Sequence, residues 1–394
     1  MIISKADRLS RVSEYYFSKK LREVGELKSQ GRPVLNIGIG SPDLPPSQAT
    51  ISSLQYEAEQ SQNHAYQSYK GIPELRAAMA GWYQSTYNVS LNPEREVLPL
   101  IGSKEGITHI SLAFLNAGDQ VLIPELAYPA YQAVSEMVGA ETVKFPMLPG
   151  SWHPDFDALE QMDLSKVKIM WVNYPNMPTG APASRELFER LIEFGRKHCI
   201  LICHDNPYSL ILNDEKPLSI LETEGAREVA LELNSMSKSH NMAGWRIGWV
   251  NGAQDYIDAI LKIKSNVDSG MFYPLQKAAA TAFQNPKEWH EAQNRIYRER
   301  KQIVHAILKK MECTFDERQT GLFVWARVSE QIEEVENLID HLLYEYNVFL
   351  SPGFIFGEKG KRYIRISLCS TKKDLETVLQ RLQNFNLKEI NKAA

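Results

Sequence analysis

Residues 235–249, SMSKSHNMAGWRIGW, place one amine, Lys238, behind two hydroxyls, Ser235 and Ser237, and eight positions before Arg246, which lies between Gly244 and Gly248. Short hydroxyls and a guanidinium are groups that converge on a phosphate, and a nearby cation keeps an amine neutral enough to attack an aldehyde. Most lysines are solvated helix residues. Lys238 instead follows an apolar run, EVALEL, and sits in a stretch that spends glycine and tryptophan freely.

Two further stretches carry candidate chemistry. CILICHDNPY, residues 199–208, is a hydrophobic strand-like run that ends in Asp205, with Tyr208 three residues on. An Asp there serves as a turn former or helix cap, and it can equally hold a buried cation such as a protonated ring nitrogen. NYPNMPTG, residues 173–180, follows the strand-like KVKIMWV. It is either a proline-rich strand-to-helix connection or a binding loop at a strand's C-terminal end. A held phosphate beside a carbonyl-reactive amine is the chemistry of pyridoxal phosphate.

These residues need a scaffold that brings strand ends together. From about Val97 to Val250, apolar strand-like runs (VLPLI, QVLIP, ETVKFP, KVKIMWV, CILIC, EVALEL, RIGWV) alternate with amphipathic helix-like ones. Such alternation predicts an α/β sheet, mostly parallel because crossovers join its strands, with functional residues at strand ends. After about residue 281 the pattern changes to a long charged helical run, PKEWHEAQNRIYRERKQIVHAILKKM, then short strands around GLFVWARV and YIRISL, which predicts a separate α+β lobe. An amphipathic N-terminal helix over residues 4–30 leads into VLNIGIGSPDLPPS and is expected to pack on that second lobe. The domains expected are residues 45–280 for the large unit, and 1–44 with 281–394 for a small, discontinuous one.

Composition narrows the function classes. With 394 residues, 44 basic against 48 acidic side chains and a net charge of −4, the chain has no global field that favours nucleic acid. The N-terminus has no uninterrupted apolar run of signal length, and no segment reaches the ~18 apolar residues of a membrane span. Cys199, Cys203, Cys313 and Cys369 form no zinc pattern, no metal is expected, and CILIC places the first two on an apparent buried strand, as core thiols of a cytoplasmic protein.

Taken in order, NYPNMPTG, HDNPY, SMSKSHNMAGWRIGW and YIRIS resemble the fold-type I pyridoxal-phosphate aminotransferases of the class I/II group, through most of the chain. The resemblance implies a large domain with a mostly parallel seven-stranded sheet flanked by helices, and a smaller α+β domain formed from both termini. It implies that Lys238 forms the aldimine with the cofactor and shuttles a proton, that Asp205 pairs with the ring nitrogen and that Tyr208 bonds the phenolic oxygen. The phosphate would be bound by Ser235 and Arg246 with the turn Gly102, Ser103 and Lys104, which opens a helix. Tyr128 would stack on the ring, Arg365 would grip the substrate carboxylate beside the loop holding Gly40, and Tyr66 would reach a second subunit's phosphate in a homodimer. One position departs from the family: Met177 stands where an asparagine contacts the phenolic oxygen and the carboxylate. Either Asn173 or Asn176 then substitutes, or Tyr208 serves alone.

The resemblance implies ping-pong transamination between amino acids and 2-oxo acids. The same carbanion also feeds a β-lyase or carbon–sulfur lyase. A third reading is a non-catalytic ligand sensor, but only about 40 residues precede the cofactor domain, too few for an added DNA-binding module. KSNVDSGMFYPLQ, residues 264–276, is similar to segments of aminotransferases acting on diaminopimelate precursors, alanine or aspartate. There Asn266, Asp268, Ser269 and Tyr273 either shape a side-chain pocket or pack at a domain and dimer boundary.

Overall fold

A computed structural model describes residues 3–10 and 16–392. Seven strands form the main sheet: β1 (Val97–Leu100), β2 (Gln120–Pro124), β3 (Glu141–Phe145), β4 (Val167–Val172), β5 (Leu201–Asp205), β6 (Ala230–Ser235) and β7 (Gly248–Gly252). Their spatial order is β1-β7-β6-β5-β4-β2-β3. Neighbours are parallel except at β7, which runs antiparallel to both β6 and β1. The C-terminal ends of β4, β5 and β6 therefore share one edge with the start of β7, and Ser235 pairs there with Gly248.

Both faces of the sheet are covered, which explains why its central strands read as continuous apolar runs. Ile169 and Trp171 of β4 belong to one core with Ile107, Ile110, Tyr131 and Val134 of the helices Ser103–Phe114 and Pro129–Met137. Met170 and Val172, one residue out of phase, belong to the other with Leu187 and Leu191 of the helix Arg185–His198.

The region after residue 281 opens with a helix, Lys287–Lys310, and then forms a three-stranded antiparallel sheet of β8 (Phe323–Arg327), β9 (Ser351–Pro352) and β10 (Tyr363–Ser367), with β10 central. Leu35–Asn36 pairs in parallel with Val348–Phe349, so the N-terminal segment joins this region. The expected helix over 4–30 is shorter: a 3-10 turn spans Asp7–Ser10 and the α-helix spans Tyr16–Ser29, while residues 11–15 lie outside the described residues. That helix packs on the second lobe through Phe17 against Phe349, with ring centroids 5.7 Å apart, and Lys20 with Asp340 at 2.6 Å.

Cys199 corrects a sequence expectation. It is exposed and caps Arg185–His198 in the left-handed region at φ 54°, leaving only Cys203 of the pair on β5. The run CILIC thus spans a helix end and the strand after it. Among the described residues no helix is long and apolar enough to cross a membrane.

Candidate active site

The sheet edge and the second lobe enclose a cleft of about 290 Å³. Its floor comes from strand ends. Asp205 is the last residue of β5, and Asn173 follows directly after β4. Ser235 ends β6 and caps the short turn of helix Met236–Ser239 that carries Lys238, its Oγ accepting from Ser237 N at 3.1 Å. All four line the cleft, with Tyr208, Ser103, Lys104 and Tyr128. The opposite wall is Gly40, Phe323 and Arg365.

Lys238 reaches across the cleft, its Nζ donating to the Gly40 carbonyl. Burial lowers the pKa of its amine, and the Arg365 and Arg246 cations lower it further. A depressed amine is a better nucleophile and a usable proton carrier near neutral pH.

Asp205 is buried, and only one of its oxygens is satisfied: Oδ2 accepts from Tyr131 Oη at 3.0 Å, while Oδ1 has no hydrogen-bond partner. Burial pushes its pKa up to about 6 against the pull of the Tyr131 bond. A buried carboxylate with an idle oxygen is the acceptor that a ring N–H needs, and such a cation would bring it back to the charged form. Tyr131 was not singled out in the sequence. Its signal was present in PELAYPAY, where Tyr131 follows three residues after Tyr128, the N-cap of helix Pro129–Met137. Tyr131 is itself fixed by stacking on Trp171, centroids 5.0 Å apart and planes 3° apart.

The phosphate-type contacts also assemble. Gly102, at φ 82°, is the N-cap of Ser103–Phe114, with no side-chain cap bond. The positive φ at Gly102 favours glycine, and a Cβ there would push the Arg246 guanidinium from its place beside the helix start. Arg246 itself adopts φ 59° and donates from Nη1 to Ala243 O at 2.9 Å. A helix N-terminus with free amides, one guanidinium and the Ser235 hydroxyl suits an anion.

Arg365, on β10, lies with its guanidinium carbon 3.9 Å from the Phe323 ring centroid and 4.6 Å from that of Phe356. Its Nη2 donates to Gly38 O at 3.0 Å, and its Nη1 contacts Met177 Sδ at 3.3 Å. Both asparagines near Met177 make hydrogen bonds within this floor. Asn176 is spent inside its own turn, with Oδ1 accepting from Thr179 Oγ1 at 2.7 Å and Nδ2 donating to Asn173 O at 3.1 Å. Asn173 donates from Nδ2 to Asp205 O at 2.6 Å and accepts at Oδ1 from Met177 N at 2.7 Å. Asn173 therefore braces the floor, and Tyr208 lines the cleft with Lys238.

Two sets of residues expected at a boundary between subunits lie outside this chain's own cleft. Tyr66 is 91% exposed and lies outside it. Asn266, Asp268, Ser269 and Tyr273 do not line it either. Asp268 instead takes Lys264 Nζ on both oxygens, at 2.7 and 2.8 Å, and accepts from Gly270 N at 2.8 Å. Glu105, His109 and Asp268 form a cluster of potential ligand atoms within 4.8 Å, but the Lys264 ammonium already supplies its cation.

The family described as aminotransferase class I and II matches residues 32–382. The chain is 40% identical over 380 residues to an LL-diaminopimelate aminotransferase of Dehalococcoides mccartyi, covering 96% of this chain and 98% of the relative. It is 38% identical over 384 residues to the enzyme of that name from Aquifex aeolicus, covering 97% and 99%. Among solved structures, substrate-bound BacF from Bacillus subtilis superposes with a TM-score of 0.92 at 33% identity, covering 98% of each chain.

Proposed function

This chain belongs to the aminotransferase class I and II family, and on that premise we propose that it binds pyridoxal 5'-phosphate and moves an amino group between an amino acid and a 2-oxo acid in two half-reactions. The observation that carries the reading is the buried Asp205 with its idle Oδ1, on the floor of a cleft that also presents a pKa-lowered lysine. Pyridoxal phosphate supplies an aldehyde that takes up amines and a ring that accepts electrons from the substrate's α-carbon.

The protein's own groups divide the work. Asp205 keeps the ring nitrogen protonated, Tyr208 donates to the phenolic oxygen, and Tyr128 covers the ring. Ser235, Arg246, Gly102, Ser103 and Lys104 hold the phosphate. Arg365 fixes the substrate carboxylate with Gly40 and its loop alongside, and Lys238 carries the proton to and from the α-carbon. Holding Nζ near Gly40 O keeps that amine inside the cleft when it is not bonded elsewhere.

The relatives' names support a diaminopimelate precursor as one substrate to test first, with aspartate and alanine beside it. We also propose a cytoplasmic homodimer divided at about residues 45 and 280, in which the exposed Tyr66 reaches the second copy's phosphate site. Initial rates with donor and acceptor varied together test the reaction class: parallel double-reciprocal lines are expected, and intersecting lines would remove the two-stage scheme.

A further inference from the structure

One side chain ties together the two chain segments that form the Arg365 end of the cleft. Arg300, on the helix Lys287–Lys310, is buried. Its Nη1 and Nη2 donate to Asp43 Oδ1 at 2.6 Å and Oδ2 at 2.8 Å, two parallel charge-assisted bonds, and Nη1 also donates to the Leu368 carbonyl at 3.0 Å. Asp43 lies three residues after Gly40, and Leu368 three residues after Arg365, just past the end of β10. The Arg300 guanidinium thereby bridges the loop on one side of Arg365 and the strand that carries it.

That loop is fixed by its two ends. At its start the Ile37 N–H donates to Phe349 O, and the Ile37 carbonyl accepts from Ser367 N, both at 2.8 Å. Residues 37–47 belong to no helix or strand, and backbone of that kind is displaced at low cost. Yet this span holds two carbonyls at the centre of the site: Gly38 O accepts from Arg365 Nη2 at 3.0 Å, and Gly40 O accepts from Lys238 Nζ. The tie at Asp43 is what limits their movement from the far end. A shift there is passed to the Arg365 guanidinium, and misplacing a binding group by about 1 Å can cost ~100-fold in rate.

Resting on the aminotransferase reading, we infer that Arg300 is a positioning residue for the substrate's carboxylate: paired with Asp43, it sets the Gly38–Gly40 loop against Arg365. Arg300 itself lies outside the cleft lining and acts through Arg365. The same helix grips the other side of the cleft by a different residue. Asn294 donates to Leu210 O and accepts from Leu212 N, each at 2.9 Å, in the segment that follows Tyr208. The two grips can therefore be loosened one at a time. Loss of the Arg300 grip weakens carboxylate binding, whereas loss of the Asn294 grip loosens the helix without reaching the carboxylate.

The test follows single half-reactions of holoenzyme variants by the spectral change of the bound cofactor, with propanoate, an unreactive carboxylate, as competitor. Arg300→Met is the main variant, because the group it strands is the more exposed partner: the Asp43 side chain is 26% exposed against 4% for Arg300. Arg300→Lys keeps the charge but loses the fork, and it serves where Arg300→Met does not fold. Arg300→Met should raise the half-saturating amino acid concentration and the propanoate Kd by ~10-fold or more, lower the maximal rate by less than ~3-fold and leave the cofactor's absorbance unchanged. Arg300→Lys should shift the same two constants by a smaller factor. In an Arg365→Lys background the effect of Arg300→Met on propanoate should shrink below ~3-fold, because the tie acts through that arginine. Asn294→Ala should leave the propanoate Kd within ~2-fold of wild type. Unchanged affinity in both Arg300 variants, a ~10-fold effect that persists in the Arg365→Lys background, or an equal loss in Asn294→Ala would overturn the inference while leaving transamination intact. No spectral change of the wild-type holoenzyme with any amino acid would instead remove the aminotransferase reading itself.

Discussion

The two walls of the cleft differ in how they are made. The wall at the sheet edge is polar and each of its groups stands at a strand end or in the turn that follows: Asn173 after β4, Asp205 on β5, Ser235 and Lys238 after β6, Arg246 before β7. The wall from the second lobe is aromatic among the described residues, and Arg365 lies over the rings of Phe323 and Phe356. Chemistry is thus held by backbone geometry common to open parallel sheets, and selectivity by side-chain packing that is free to change without disturbing it. Mutations in the first wall should change whether the reaction occurs, and mutations in the second should change on what.

The largest effect is expected at Lys238. Lys238→Ala should remove the visible absorbance of the cofactor–protein adduct and lower kcat by at least ~10²–10⁴-fold, checked by absorption spectra and steady-state rates. Next comes Asp205→Ala, which removes a charge-assisted partner worth up to ~3 kcal/mol and should lower kcat/KM by about 100-fold. On the opposite wall, Arg365→Lys loses the planar fork and should raise KM far more than it lowers kcat, a split that steady-state kinetics reads directly.

Asp205 also gives a pH-dependent contrast in the cofactor-free protein. Its pKa is raised to about 6 in the folded chain, against an ordinary value near ~4. The folded state therefore binds more protons than the unfolded state between these values, and the stability it contributes is present below pH ~4 and lost as pH rises through about 6. Apoprotein carrying Asp205→Asn should melt higher than wild-type apoprotein at pH 7, by an amount on the order of 3 kcal/mol at most, and the gap should close below pH ~4. Thermal melts across pH check this, and a gap that widens in acid would contradict it.

The smallest effect is expected at Met177. Met177→Leu keeps the volume and removes only a weak acceptor from Arg365, so kcat/KM should change by less than ~3-fold. A tenfold loss would show that the thioether orients the guanidinium.

How far each wall could be read in the sequence follows the same division. Lys238, Ser235 and Arg246 lie within one quoted stretch, and Asp205 closes an apolar strand. Their chemistry is local in sequence, so residue type and spacing carried it. Gly102 was legible from its position before a helix, although its closeness to the Arg246 guanidinium joins residues far apart in the chain. Phe17, Phe323 and Phe356 had no local signal: each reads as an ordinary core aromatic, and only tertiary packing brings them to one surface. Tyr131 was hidden behind Tyr128, since its role depends on the depth of Asp205. Cys199 was misplaced because a residue at φ 54° ending a helix is indistinguishable, by hydrophobicity, from the first residue of the strand that follows.

The account's central claim is that this cleft carries out half of a transamination at a time. The most direct measurement mixes holoenzyme with a single amino acid, without any acceptor, and quantifies the products. The account predicts one equivalent of 2-oxo acid per active site, no ammonia, a loss of the starting visible band, and its return when a 2-oxo acid is added. Continuous release of ammonia with 2-oxo acid beyond one equivalent would contradict it.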